Sequence, residues 1–282
     1  MIFHTKEFLS IRKIIIHCSQ KIVVLVFLLL FLQSGLVVGS EASAESAFGQ
    51  PANTDNETGE KKADFLMGKP KGFFGLHMGM FFPQADSEVF DMITSELTLE
   101  KSDFRALDFG LDAGFDLYEK VDLVFHYDYS KRSEDSEFRD FVDEQGLPIT
   151  QNTSLSQSAI TAGIKYLLKP PGRQVGEYAW LPSRIVPFIE GGGGLLDYTF
   201  EQNGDFVDST TLEIFPAFLK SSGWTLTGYL GGGADIYLLK NIFLTLDLRY
   251  SLASHDLDQD FVGFDDIDLG GLRVTAGIYW HF

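Results

Sequence analysis

Residues 273–282 alternate: Val274, Ala276, Ile278, Trp280 and Phe282 fall on one face of an extended strand. Arg273, Thr275, Gly277, Tyr279 and His281 fall on the other. A β-strand turns successive side chains to opposite sides and rises about 3.3 Å per residue. Such a segment has one greasy flank and one polar flank. Ten tilted residues of it are about enough to cross a hydrocarbon layer roughly 30 Å thick.

Seven earlier stretches repeat the pattern. Residues 73–82 place Phe74, Leu76, Met78, Met80 and Phe82 on one face, with His77 between Gly75 and Gly79 on the other. Residues 104–117 set Leu107, Phe109, Leu111, Ala113, Phe115 and Leu117 against Asp108, Gly110, Asp112, Gly114 and Asp116. The third stretch has Leu123, Phe125, Tyr127 and Tyr129 outside and Asp122, His126 and Asp128 inside. The fourth opposes Ile160, Ala162, Ile164, Tyr166 and Leu168 to Ala159, Thr161, Gly163 and Lys165. The fifth, 185–200, contains four consecutive glycines at 191–194, which blur its faces and suggest a bulge or tight curvature. The sixth, 224–238, alternates throughout and carries Asp235 on its polar face. After Lys240-Asn241 the seventh sets Ile242, Leu244, Leu246, Leu248 and Tyr250 against Thr245, Asp247 and Arg249.

Eight is the smallest usual strand count for a membrane barrel. The expected fold is therefore all-β, an eight-stranded antiparallel up-and-down transmembrane β-barrel over residues 72–282. Short turns follow the second and sixth stretches, and the link after the fourth is longer and carries Lys169, Arg173 and Arg184. Long loops are expected at 83–103, 130–152, 201–222 and 253–269. Membrane barrels keep short turns on the periplasmic side, so both ends of the barrel return there.

The N-terminus carries Lys6, Arg12, Lys13 and Lys21, an apolar run at 22–32, and Ala42-Ser43-Ala44. This is the layout of a secretory signal peptide over 1–44, cleaved after Ala44 or Ser40; a retained membrane helix is the rival reading. Residues 45–71 are polar and aperiodic, a flexible periplasmic tether. The single cysteine, Cys18, lies in the leader, which excludes a disulfide framework or thiolate site from the exported chain. The formal net charge of -18 becomes about -20 once the leader is removed. A nucleic-acid binder needs a basic footprint, so that class is excluded.

A soluble sandwich also alternates apolar and polar residues. The membrane is favoured by segments near ten residues, against a usual mean of about five or six. It is also favoured by aromatics near segment ends. An inner face holding Asp108, Asp112, Asp116, Asp122, Asp128, Asp247 and Arg249 could not fill a dry core without partners. A lipocalin-like barrel would be apolar inside instead.

The stretches GLHMGMFFP, DIYLLKNIFLTLDLRYS and RVTAGIYWHF resemble the small outer-membrane β-barrel families, those of OmpW, OmpX and the OmpA barrel domain. The resemblance spans 72–282 and is one of pattern. It implies a place in the cell outer membrane, and an insertion signal at Ile278, Trp280 and Phe282 read by the outer-membrane insertion machinery. No GxSxG, Walker, HExxH or CxxC pattern appears, so no enzymatic activity and no cofactor are expected.

The candidate site is the lumen. Eight strands leave room for side chains and little more, so Asp108, Asp112, Asp116, Asp122, Asp128 and Asp247 should be partly neutralised by Lys165, Arg249, Arg273, His77 and His126. A polar plug and a narrow cation pathway both fit. His126, Asp128 and Ser130 share a face, as a hydrolase would require, but neighbours two apart are about 7 Å distant, too far for a direct relay. The outer loops are acidic: Asp86, Glu88, Asp91, Glu96, Glu100 and Asp103 lie in the first, and Asp256, Asp258, Asp260, Asp265, Asp266 and Asp268 in the last. A solvated surface explains them, and divalent cations are the alternative partners. The segment 255–260 spaces its acids like part of a calcium loop, without the glycine or terminal glutamate. The expected role is a monomeric envelope-structural or surface-interaction protein set in outer-membrane lipid and lipopolysaccharide. A narrow channel for small or hydrophobic solutes, implied by the likeness to OmpW, is the runner-up.

Overall fold

The computed structural model describes residues 66–208 and 211–282; the leader and the tether up to residue 65 lie outside the described residues. Eight strands close a ring: β1 (Gly72–Pro83), β2 (Ala106–Tyr118), β3 (Val121–Val142), β4 (Pro148–Leu167), β5 (Ile185–Val207), β6 (Ile214–Tyr237), β7 (Ile242–Leu252) and β8 (Gly271–His281). Each pairs antiparallel with its sequence neighbours, and β8 pairs with β1 to seal the cylinder.

Register follows polarity. Leu76, Leu107, Phe109, Ile164, Leu230, Leu248 and Ile278 are exposed on the outside, while His77, Asp108, Asp128, Lys165, Asp247, Arg249 and Arg273 are buried inside. A slip of one residue would exchange the two faces of a strand. For β7 that would push Arg249 into lipid, at about 2–4 kcal/mol near the bilayer midplane.

The glycine-rich fifth strand contains no bulge. Its pairing with β4 and β6 runs unbroken through 191–194. The inward glycines serve close approach instead: a Cβ on Gly192 would lie 2.2 Å from the Ala162 carbonyl oxygen, and one on Gly194 2.0 Å from that of Ile160.

Two of the expected long loops are strands. The barrel wall continues upward through 130–142 and 148–157 as one hairpin, and through 201–207 and 214–222 as a second. The outward face changes character along the way. On β3 it passes from Leu123, Phe125, Tyr127 and Tyr129 to Lys131, Ser133 and Asp135. Tyr129 pairs with Ser158, Ser158 with Asp197, and Asp197 with Trp224, so the change falls at one level across four strands. That level is the upper edge of the apolar belt.

The first and last outer loops fold inward as a cap. The first holds α1 (Glu88–Glu96), whose Val89, Phe90 and Ile93 are buried. They pack with Phe104, with Leu155 and Ala159 of β4, with Leu196, Tyr198 and Phe200 of β5, and with Phe261, Ile267 and Leu269 of the last loop. Backbone contacts fasten the cap to β3: Leu97 bridges Phe138, and Thr98 N–H donates to Glu137 O at 2.8 Å.

At the other end, Leu66–Met67 joins a hairpin of Gly172–Val175 and Ala179–Pro182 in a small three-stranded sheet. Lys69 Nζ reaches Asp116 at 3.0 Å, and Lys71 N–H donates to Phe282 O at 2.9 Å. The last six residues of the expected free tether are therefore tied across the mouth of the barrel.

Candidate functional site

The lumen is filled in three tiers. The lowest is aromatic. Phe243 stacks on His281 at 4.5 Å and on Tyr279 at 5.2 Å, Tyr237 lies parallel to His281 at 5.5 Å, and Phe73 meets Phe243 edge-on at 5.6 Å. His281 donates from Nδ1 to Gly72 O at 3.2 Å, which leaves Nε2 to accept the Tyr237 hydroxyl at 2.8 Å. A cavity of about 20 Å³ beside Lys69, Asp116, Asp122 and Asp235 has room for about one water. Above it, Lys165 binds Asp235 at 2.8 Å while stacking over Phe188 at 3.8 Å, and Thr245 donates to the same carboxylate at 2.7 Å.

The middle tier is ionic. Asp112 accepts from His77 Nδ1 and from His126 Nδ1, each at 2.7 Å, and from the Tyr279 hydroxyl. The other nitrogen of His77 lies 3.0 Å from Asp128. Both ring nitrogens therefore face carboxylates. Asp128 also takes both terminal nitrogens of Arg249, at 2.9 and 3.2 Å, and Arg249 Nε donates to Asp247 at 2.6 Å. Glycines make the sockets: a Cβ on Gly110 would meet the His77 ring at 2.3 Å, and one on Gly163 the Tyr229 hydroxyl at 2.3 Å. Higher up, Arg273 binds Asp108 at 3.3 Å and Ser251 at 3.1 Å, and stacks on Phe81 at 4.3 Å. The apolar cap is the third tier.

The chemistry of this arrangement is set by a carboxylate surplus. Among the described residues, buried Asp108, Asp112, Asp122, Asp128, Glu190, Asp235 and Asp247 face Lys165, Arg249, Arg273, His77 and His126. Even with both imidazoles charged, the acids outnumber the bases. Asp108 Oδ2, Asp247 Oδ1 and Glu190 Oε1 have no hydrogen-bond partner. Glu190 is 6% exposed, and the basic side chains against it are His126, with Nε2 at 3.6 Å, and Arg249, with Nε at 4.0 Å. An unsatisfied buried polar group costs about 1–3 kcal/mol, more when charged. Glu190→Gln is accordingly expected to raise the urea midpoint of the refolded barrel by at least about 1 kcal/mol equivalent. A lowered midpoint would show that Glu190 holds a partner.

The structure brings together nearly all the lumen charges expected from the sequence. Asp116 stands apart at the mouth, half-buried and paired with Lys69. Glu190 and Asp235 complete the set; the first was hidden beside the glycine run. His126, Asp128 and Ser130 form no relay, because His126 is bound to Asp112 and Asp128 to His77 and Arg249. His77, Asp108 and Asp128 cluster closely enough to hold a metal ion, yet Arg273 and Arg249 already neutralise both carboxylates.

The acids of the outer loops largely serve structure. Asp258 accepts Ser222 N–H at 2.9 Å and Asp260 accepts Lys220 N–H at 3.0 Å, so the segment resembling a calcium loop is a clasp onto β6. Asp268 caps Asp86 N–H and Gly270 N–H. Lys101 is held above its ordinary pKa by its hydrogen bond to Asp91 and by nearby Asp86. The Asp266 carboxyl is raised by its hydrogen bond to Asp256 and by the charge of that group. Ile278 and Trp280 face outward, and Phe282 packs against Phe74 and Phe115.

No protein-family profile matches the chain, and no curated protein does. Solved structures do. The N-terminal β-barrel domain of Pseudomonas aeruginosa OprF is similar at 15% identity and a TM-score of 0.34, covering 76% of this chain and 98% of that one. Neisserial surface protein A is similar at 13% and 0.39, covering 75% and 96%. Ail, the attachment invasion locus protein of Yersinia pestis, is similar at 13% and 0.37, covering 74% and 99%. The fold itself rests on the closed ring and its inside-out polarity. This is a transmembrane-type β-barrel.

Proposed function

We propose that this chain is a non-enzymatic integral outer-membrane protein with a closed lumen, which supports the envelope or meets other surfaces through its outer end. The observation that supports the reading is the succession of an aromatic floor, an ion-pair network and an apolar cap along the lumen. Each tier would have to move for a solute to pass. Its surroundings are outer-membrane lipid and lipopolysaccharide. The outward Ile278 and Trp280, with the packed Phe282, suit recognition by the insertion machinery. The closed ring leaves no free sheet edge, which suits a monomer. Divalent cations suit the Asp256–Asp266 pair, whose carboxylates stand against each other in the open.

A narrow cation pathway is the second reading, favoured by the partnerless oxygens of Asp108, Asp247 and Glu190 inside the lumen. Single-channel recording of the refolded protein separates the two. The closed-lumen reading expects brief flickers at most, and a steady open level with cation preference would overturn it.

A further inference from the structure

The two ends of this barrel carry opposite charge. The acids of the outer loops crowd one end, while every connection at the other carries lysine or arginine. Lys71 precedes β1, Lys120 joins β2 to β3, Lys169, Arg173 and Arg184 lie between β4 and β5, and Lys240 lies between β6 and β7. Among the described residues none of these six is in an ion pair, although Lys69 beside them is. Lys71, Lys169, Arg173, Arg184 and Lys240 are exposed. Among the described residues the acids at this level are Asp116, taken by Lys69, the inward Asp122, and Glu119 and Glu177.

Their position is set by the apolar belt. Lys169 follows outward Leu168, Arg184 precedes outward Ile185, and Lys240 follows exposed Leu239. Lys71 is pinned by its backbone to Phe282, part of an exterior aromatic group with Phe74 and Phe115. Cations at such a boundary lay their stems along the apolar surface and hold their heads at the level of lipid phosphates. A carboxylate within ion-pair distance would compete with this role, and among the described residues none of them has one.

We infer that the short-turn end is a collar for anionic phospholipid headgroups, taking phosphate oxygens of the periplasmic leaflet on Lys71, Lys169, Arg173, Arg184 and Lys240. The collar rests on the membrane reading above and adds a lipid preference to it. A basic residue near an anionic surface enriches the charged lipid about fivefold. The acidic outer end repels the same lipids, so the preference is confined to one leaflet.

Two tryptophans report on the two ends. Trp280 is 46% exposed on the lipid side near the collar, and Trp224 is 37% exposed at the upper edge of the belt. The protein, freed of its leader, would be refolded into nanodiscs of phosphatidylcholine holding a minor fraction of brominated phosphatidylglycerol, or the same fraction of brominated phosphatidylcholine. With Trp180→Phe and Trp224→Phe in place, Trp280 should be quenched several-fold more by the anionic lipid at low salt, with the ratio falling toward one in high salt. With Trp180→Phe and Trp280→Phe, Trp224 should show no preference. Lys71→Gln, Lys169→Gln, Arg173→Gln, Arg184→Gln and Lys240→Gln together should abolish the preference at Trp280. Equal quenching by the two lipids, or a preference that survives neutralisation or appears equally at Trp224, overturns the collar. Failure of any brominated lipid to quench Trp280, with no heat-modifiable gel shift, would instead overturn the membrane reading.

Discussion

Arg249→Met should destabilise the refolded barrel by about 3–5 kcal/mol, the usual effect of removing one partner from a buried ion pair. Arg249 spans the lumen within the ionic tier. Its terminal nitrogens bridge to Asp128 on β3, and its Nε holds Asp247 on its own strand. Methionine fills a similar volume, so the loss would report charge rather than a cavity. Three carboxylates, Asp128, Asp247 and Glu190, would then face one another without the guanidinium that lies among them. Arg249→Lys should recover part of the loss, since an ammonium restores the charge without the two-pronged contact to Asp128. Equilibrium urea unfolding in lipid, followed by tryptophan fluorescence and gel shift, measures both variants. A loss below about 1 kcal/mol in Arg249→Met would mean that water or protons already neutralise these acids.

The second large effect belongs to the cap. Phe90 is 0% exposed, lies edge-on to Phe104 at 5.1 Å and meets Phe200 at 5.9 Å. Truncating a buried phenylalanine to alanine costs about 3–5 kcal/mol. In Phe90→Ala that cost should fall on the cap alone, because the eight-stranded ring closes without residues 84–105. Proteolysis within that loop should accelerate by two orders of magnitude or more while the barrel keeps its heat-modifiable migration. Simultaneous loss of the gel shift would show that cap and ring unfold as one unit.

Sequence periodicity revealed what the bilayer enforces. Residues 224–237 and 273–281 sit between lipid and a wet lumen, so their side chains must alternate, and they do. Above the belt that pressure ends. Ser154, Ser156 and Ser158 face outward on β4 while Thr153 and Gln157 face inward, and a strand polar on both sides looks like a loop. Glu190 was concealed for another reason: glycines at 191–194 have no side chains to show a period. The signal was present on either side of them, in Val186, Phe188 and Glu190, then Leu196, Tyr198 and Phe200. The cap could also have been found. Val89, Phe90, Ile93 and Leu97 follow a helical spacing within a segment whose acids drew attention to solvent.

The partners of the lumen charges were less legible than their direction. Alternation shows that Asp112 and Arg249 point inward, but it cannot show which levels of the cylinder they share. That depends on the stagger between strands, which sets His77 opposite Gly110 and Gly110 opposite Asp128. The glycine sockets follow from the same stagger.

The height difference around the rim shapes how this molecule would be met from outside. β3 to β6 continue about 10 to 13 residues beyond the belt and so stand roughly 25 Å above the bilayer once tilt is allowed for. β7, β8, β1 and β2 stop near it. A macromolecule approaching from outside would touch the tips at 143–147 and near Asp208 long before it reached the low side. Those tips can diverge freely, as an immune-exposed epitope tends to, without disturbing anything in the lumen below.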